Sequence, residues 1–175
     1  ISSAQHLLAE AQLLGTVITG TGTTSLSGGT GGNYYDRGPL HTGNDVAAGL
    51  GSGLGDGNMM YFWWKLSVSL AQASGDITLN VVSDETTTFD ASSSVHATTG
   101  PVTVASTAFA AGKMGFLPLA PRSLNGLTGW RRYVGLIAVV TGADVTAGTL
   151  TAGLCRSIED MAVFASGLNW GTAAT

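Results

Sequence analysis

The stretch Met59-Met60-Tyr61-Phe62-Trp63-Trp64-Lys65-Leu66-Ser67-Val68-Ser69-Leu70 decides the fold class. Its side chains alternate with a period of two. Met60, Phe62, Trp64, Leu66, Val68 and Leu70 fall on one face of a strand, and Met59, Tyr61, Trp63, Lys65, Ser67 and Ser69 fall on the other. The first face is apolar throughout and belongs to a core. The second begins apolar and turns polar, so Met59, Tyr61 and Trp63 require cover from a loop, a second sheet or a partner.

Downstream, Ser74-Gly75-Asp76 supplies turn chemistry, and Ile77 to Ser83 reads as the next strand, an expected antiparallel partner of the first. Thr86 to Gly100 is polar and rich in small residues, as a surface excursion would be, and Pro101 precedes a β segment from Val102 to Phe109. Phe116-Leu117-Pro118-Leu119, with Pro121, reads as an edge or corner. From Arg131 to Val140, Tyr133, Ile137 and Val139 face one way, while Val134, Leu136 and Val140 face the other. A strand apolar on both faces is central and covered twice, as in a two-sheet sandwich. Gly142-Ala143-Asp144 turns the chain towards a strand from Thr149 to Cys155, and the tail from Ser157 to Trp170 fits either a short helix or an arm.

Upstream, Gly15 to Asn58 is dominated by Gly, Thr, Ser and Asn, with short strands expected at Thr16–Thr19 and Thr23–Ser27. The glycine runs at 28–32 and 49–57 lose so much backbone entropy on ordering that something must pack on them. The first segment carries a helical signature. Ser2 and Gln5 fit a capping box, and Ala4, Leu7, Leu8, Ala11 and Leu14 form a stripe before Gly15; an extended arm is the alternative. No basic region precedes an apolar run there, so the segment is not a signal peptide, and a chain that begins at Ile1 suggests a removed or missing leading segment.

These readings sum to an all-β, jelly-roll-like β-sandwich with long Gly-rich loops and a short N-terminal helix or arm. It forms one domain over 1–175. Within it, 1–15 is the arm or helix, 16–57 the Gly/Thr-rich extended region, 58–155 the sandwich core and 156–175 the tail. A chain of 175 residues can bury roughly 70% of its unfolded surface, so it folds without staples.

Composition narrows the function. Charged residues are 10% of the chain, well below the about 25% of an ordinary soluble domain, while 44% is hydrophobic. Isolated domains use charge to stay apart, so a surface this sparsely charged is expected to be covered by partners. A net charge of −4 without a basic stripe excludes general nucleic-acid binding, and no apolar run reaches the length of a membrane-spanning helix. The single Cys155 cannot form an internal disulfide, and His6, His41 and His96 are scattered, so no metal or cofactor is expected.

Catalytic signatures are missing too. There is no Gly-x-Ser-x-Gly, His-Glu-x-x-His, phosphate-binding loop or Cys-x-x-Cys, and the expectation is that the protein is not an enzyme. The glycines from Gly49 to Gly57 superficially suggest a dinucleotide loop, but no buried strand precedes them and no helix follows. Asp45 and Asp56 lack the alternating spacing of a calcium loop. Asp84-Glu85 and Glu159-Asp160 are adjacent pairs, which on a strand diverge and make poor acid/base dyads. The tryptophans admit two uses, as anchors in a core or protein interface, or as platforms for a sugar ring. Trp64 is assigned to the core. Arg131 and Arg132 point to opposite sides, so one can pair with a partner's carboxylate while the other is solvated.

One resemblance covers most of the chain. It rests on the order of Ser3-Ala4-Gln5, Tyr35-Asp36-Arg37-Gly38-Pro39-Leu40, the Leu66 to Val82 hairpin, Phe116-Leu117-Pro118-Leu119, Arg132-Tyr133-Val134-Gly135-Leu136 and Thr146-Ala147-Gly148-Thr149-Leu150-Thr151-Ala152. This order resembles the capsid cement, or decoration, proteins of tailed bacteriophages. The Gly-rich insertion from Ser27 to Gly57 is longer than that pattern. The resemblance implies a jelly-roll-like virion protein on the outer surface of the capsid, which bridges major capsid protein subunits, stabilises the shell and associates with itself as a dimer or trimer. The candidate interface residues are Leu7, Leu8, Leu14, Met59, Tyr61, Trp63, Trp130, Arg131, Arg132 and Trp170. The rival expectation is a carbohydrate-binding β-sandwich, a head-fibre or lectin-like module using exposed Trp and Tyr rings.

Overall fold

The computed structural model describes residues 7–27, 33–36, 60–103, 109–119 and 130–155. Ten strands and one helical turn follow in order: β1 (Leu7–Leu13), α1 (Leu14–Val17), β2 (Gly22–Ser25), β3 (Tyr35–Asp36), β4 (Tyr61–Gln72), β5 (Asp76–Asp84), β6 (Ser94–Thr98), β7 (Val102–Thr103), β8 (Met114–Pro118), β9 (Tyr133–Val140) and β10 (Val145–Cys155). They form two antiparallel sheets. Sheet A has the order β1-β10-β4-β8; sheet B has the order β2-β9-β5-β6, with β3 also on β9 and β7 also on β5.

The inner faces meet in one core. Sheet A contributes Leu8, Phe62, Trp64, Leu66, Leu150 and Leu154; sheet B contributes Ile77, Leu79, Val81, Val134, Leu136 and Val140. The alternation of β4 drives this burial, and each fully buried large apolar side chain stabilises the fold by about 1.5–3 kcal/mol. Trp64 fits because its neighbour on β8 is Gly115, where a Cβ would stand 2.1 Å from the indole ring. Phe62 stacks on Trp64 with centroids 5.3 Å apart, and Phe109 meets the indole edge-on at 6.3 Å.

Four expectations are corrected. First, β4 and β5 are not partners: the chain crosses from sheet A to sheet B between them, and crosses back between β9 and β10. The two crossings pack together as one corner. Thr141 N–H donates to Asp76 O and Ala143 N–H to Ser74 O, both at 2.9 Å, while Gln72 Nε2 donates to the carbonyls of Thr141 and Ala143 at 2.6 Å. Gly75 has φ +99° and would bring a Cβ to 2.0 Å from Thr141 O, so no side chain fits there.

Second, the helical stripe before Gly15 is a strand from Leu7, and helical backbone is confined to Leu14–Val17. Pairing with β10 overrides the helix propensity of its Leu, Ala, Gln and Glu residues. A bulge with Ala11 at φ +46° absorbs the mismatch, and its N–H reaches Thr151 Oγ1 at 3.2 Å. The strand expected at Thr16–Thr19 is thereby replaced in part by this turn. Third, the polar stretch 86–100 contains strand β6, whose His96 and Ala97 are buried. Fourth, Val68 leaves the core face. Leu150 pairs with Leu66 but Thr149 pairs with Val68, so Ser67 is an extra residue that turns Val68 outward.

Candidate functional site: the outer face of sheet A

The register of sheet A assigns its outward side chains row by row. Leu7, Gly153, Trp63 and Phe116 lie opposite one another across all four strands. On one side of this row stand Cys155, Tyr61 and Pro118; on the other stand Thr151, Lys65 and Met114. Beyond the bulge, Leu13, Thr149 and Val68 continue the same face. Lys65 is the one charged residue among these paired positions.

The face carries most of the exposed large apolar side chains. Of the four exposed large hydrophobic residues among those described, three lie here: Leu13 at 58%, Val68 at 49% and Phe116 at 48% exposed. At its centre Trp63 is only 2% exposed, packed with Cys155, Leu7, Tyr61 and Met114 into a small cluster outside the main core. The outward half of the β4 alternation thus carries a second apolar layer. β8 is the sheet's edge, as Phe116-Leu117-Pro118 suggested, and Pro118 ends the strand without a donor to offer the next chain.

The other expected interface residues separate. Leu7, Tyr61 and Trp63 belong to this face. Leu8 and Leu14 do not: both are in the main core, because β1 turns Leu8 inward and α1 seats Leu14 beside Gly148 of β10. Trp130 is also core, 8% exposed, with its ring stacked on His96 at 3.5 Å. Arg131 donates its N–H to Ser83 Oγ at 2.9 Å. Arg132 is paired within the chain: Nε and Nη2 each reach an Asp36 oxygen at 3.0 Å. That bidentate geometry is favoured by the planar guanidinium, and it raises the Arg132 pKa above its ordinary value. Met59 and Trp170 lie outside the described residues, as do Asp45, Asp56, Glu159 and Asp160.

Sequence reasoning found Tyr61 and Trp63 from alternation but missed Leu13, Val68 and Phe116. Phe116 could have been found, since it stands in the segment already expected at an edge. Val68 could not, because the bulge that exposes it leaves no local signal.

Among the described residues, no group of three or more His, Cys, Asp or Glu residues is placed to hold a metal ion, and no helix is long and apolar enough to cross a membrane. Asp84 and Glu85 do not converge: Asp84 Oδ1 accepts the Glu85 N–H and Oδ2 accepts Ser93 Oγ, so the carboxylate is used in shaping a turn. Trp63, Trp64 and Trp130 are all buried, which leaves no open indole face for a sugar ring at those positions. Compared with known protein-family models and with curated proteins, the sequence matches none.

Proposed function

We propose that this chain is a structural virion protein, a cement protein that seats on the outer surface of a bacteriophage capsid and docks through the outer face of sheet A. The observation that carries the reading is the concentration of Leu13, Val68 and Phe116 on one sheet face, where Lys65 is the one charged residue among the paired positions and Glu10 and Lys113 stand at the β1 bulge and ahead of β8. A shell subunit is the occupant this face suits. Its exposed residues Leu13, Val68 and Phe116 are apolar and its charges few, so it gains by burial against a neighbour and asks for few charge partners.

Two further features support the reading. The strand pairings nest: β1 with β10, β2 with β9, β4 with β8 and β5 with β6, all antiparallel. This nesting supports a jelly-roll reading of the sandwich, the architecture that the resemblance to decoration proteins implies. The chain is also 10% charged, which suits a subunit surrounded by neighbours. On a symmetric shell, many copies of a modest contact add up, so no single site has to be strong. The same reasoning covers self-association across symmetry positions.

The test mixes purified protein with shells that lack it and follows co-sedimentation and shell rupture temperature. Binding that saturates at a fixed number of copies per shell, with a higher rupture temperature, is the expected result. Absence of binding would overturn the reading.

A further inference from the structure

An edge strand exposes unpaired N–H and C=O groups, and the edges of this sandwich treat them differently. β1 is broken twice, between Leu7 and Ala9 and between Ala9 and Gln12, with Ala11 at φ +46° and Glu10 exposed. β6 carries an extra residue, His96, between its pairings of Val95 with Val82 and Ala97 with Val81. Bulges and charges of this kind refuse a further strand. β2 is regular, but it starts on Gly22 at φ +104° and turns only Thr23 and Ser25 outward, so a strand added there would bury no apolar side chain. β8 differs from all three. It pairs with β4 one for one, from Tyr61 with Pro118 to Lys65 with Met114, with no register shift and no charged residue within it, Lys113 standing ahead.

The β4–β8 ladder is bracketed by Leu66 N–H to Lys113 O at 3.3 Å and Leu119 N–H to Met60 O at 2.8 Å. Bonds to β4 therefore fall at Lys113, Gly115, Leu117 and Leu119, and the alternate residues turn their backbone away from β4. The N–H groups of Met114 and Phe116, and the carbonyls of Met114, Phe116 and Pro118, point to the open edge. The side chains of the same residues lie on the outer face opposite Lys65, Trp63 and Tyr61, and Phe116 is 48% exposed. A strand laid along β8 gains main-chain bonds and extends the apolar face in a single contact.

We propose that β8 accepts an added strand from the shell subunit, an uncharged extended segment with apolar side chains at alternate positions. This rests on the cement reading and names the form that its contact takes. The edge borders the docking face at Phe116, so the body that covers the face also reaches the edge. Outward side chains of the added strand come beside Met114 and Phe116, which favours apolar residues there, and β8 offers no charge to pair with one. Pro118 has no N–H and marks one end of the register.

The test is shell binding by Met114→Pro beside Met114→Ala. Proline deletes one edge donor whose hydrogen points away from β4, so the two variants are expected to melt alike. M114P is expected to bind shells about tenfold more weakly than M114A, the effect of one buried carbonyl left without its donor. Equal affinities would overturn the proposal; if Val68→Thr weakened binding in the same series, the docking face would stand and the added strand alone would fall. No binding by wild type would remove both. Should M114P not fold, amide hydrogen exchange in the wild-type protein decides the matter. Slower exchange at Met114 and Phe116 on shell binding supports the added strand. Exchange unchanged by shells contradicts it, and so does exchange slowed by concentrating the protein without shells, because a second copy then occupies the edge.

Discussion

The two sheets treat their outer faces differently. On sheet B, the apolar outward residues Val82 and Ile137 are 0% and 2% exposed, because Phe89, from the loop between β5 and β6, lies over them with Val95 and Tyr133. Phe89 can do so only because Gly135 sits beneath it: a Cβ there would stand 2.4 Å from the ring. Further along sheet B the outward positions turn polar, with Thr78, Asn80, Thr23, Ser25 and Thr98 opposite or beside one another. On sheet A the outward apolar residues Leu13, Val68 and Phe116 stay half open. On sheet B the chain's own loop closes the apolar outward residues, whereas on sheet A Trp63 and Cys155 are buried at the centre while Leu13, Val68 and Phe116 around them stay half open. An exposed apolar patch is a liability for a lone domain, and the concentration of three such residues on sheet A is what the proposed docking role rests on.

This contrast can be broken first at its closed side. Phe89→Ala removes the lid over Val82 and Ile137 and is expected to lower unfolding free energy by about 3 kcal/mol in urea titrations, while leaving shell binding intact. Gly135→Ala drives a methyl into the Phe89 ring and is expected to cost about 1–3 kcal/mol. The two effects should be non-additive: in the F89A background the added methyl has nothing to strike, so G135A then costs little. Additive losses would mean that Phe89 and Gly135 do not fit each other as described.

The open face should behave in the opposite way. Leu13→Ser, Val68→Thr and Phe116→Ser each alter a half-exposed side chain, and each is expected to change stability by no more than about 0.5 kcal/mol while weakening association. Two smaller effects belong to the polar parts of sheet B's rim. Asp36→Asn removes the carboxylate that Arg132 grips, and because that pair is solvent-exposed its loss should be slight and should vanish at high salt. The Asp90 carboxyl is held below its ordinary pKa by the Ser92 hydroxyl and then by the Ser92 N–H. Its contribution is therefore present above the normal Asp range and disappears as pH falls through the lowered value. In Ser92→Ala the acid limb of the melting curve should shift slightly to higher pH.

How far these faces could be foreseen depends on the range of the forces involved. The period-two pattern from Met60 to Leu70 identified β4 and the inward role of Phe62, Trp64 and Leu66, since alternation is a local consequence of burying one side of a strand. The double-sided apolar run at Val134 to Val140 likewise revealed a central strand covered twice, and the loop bearing Phe89 supplies part of the second cover. Pairing was another matter. The turn residues Ser74-Gly75-Asp76 serve a tight hairpin and a crossing between sheets equally well, and only contact with the corner at Thr141 to Ala143 decides between them. β6 was hidden because Ser93, Ser94 and His96 look like loop residues, while the Ser93 hydroxyl reaches Asp84 and His96 Nε2 bonds with Ser83 inside the fold. Of the candidate interface residues, the outward positions of Tyr61 and Trp63 follow from alternation, whereas Leu8, Leu14 and Trp130 lie in the core: an apolar residue near a terminus or a loop carries no mark of which side it will face.

The most direct test of the account is co-sedimentation of shells with the triple variant Leu13→Ser, Val68→Thr, Phe116→Ser beside Phe89→Ala, each first checked for a native melting transition. The account predicts that the triple variant melts within a few degrees of wild type yet loses at least tenfold in shell affinity, whereas F89A melts lower but binds normally at temperatures where it is folded. Unchanged binding by the triple variant, or a loss confined to F89A, would contradict the assignment of sheet A's outer face as the docking surface.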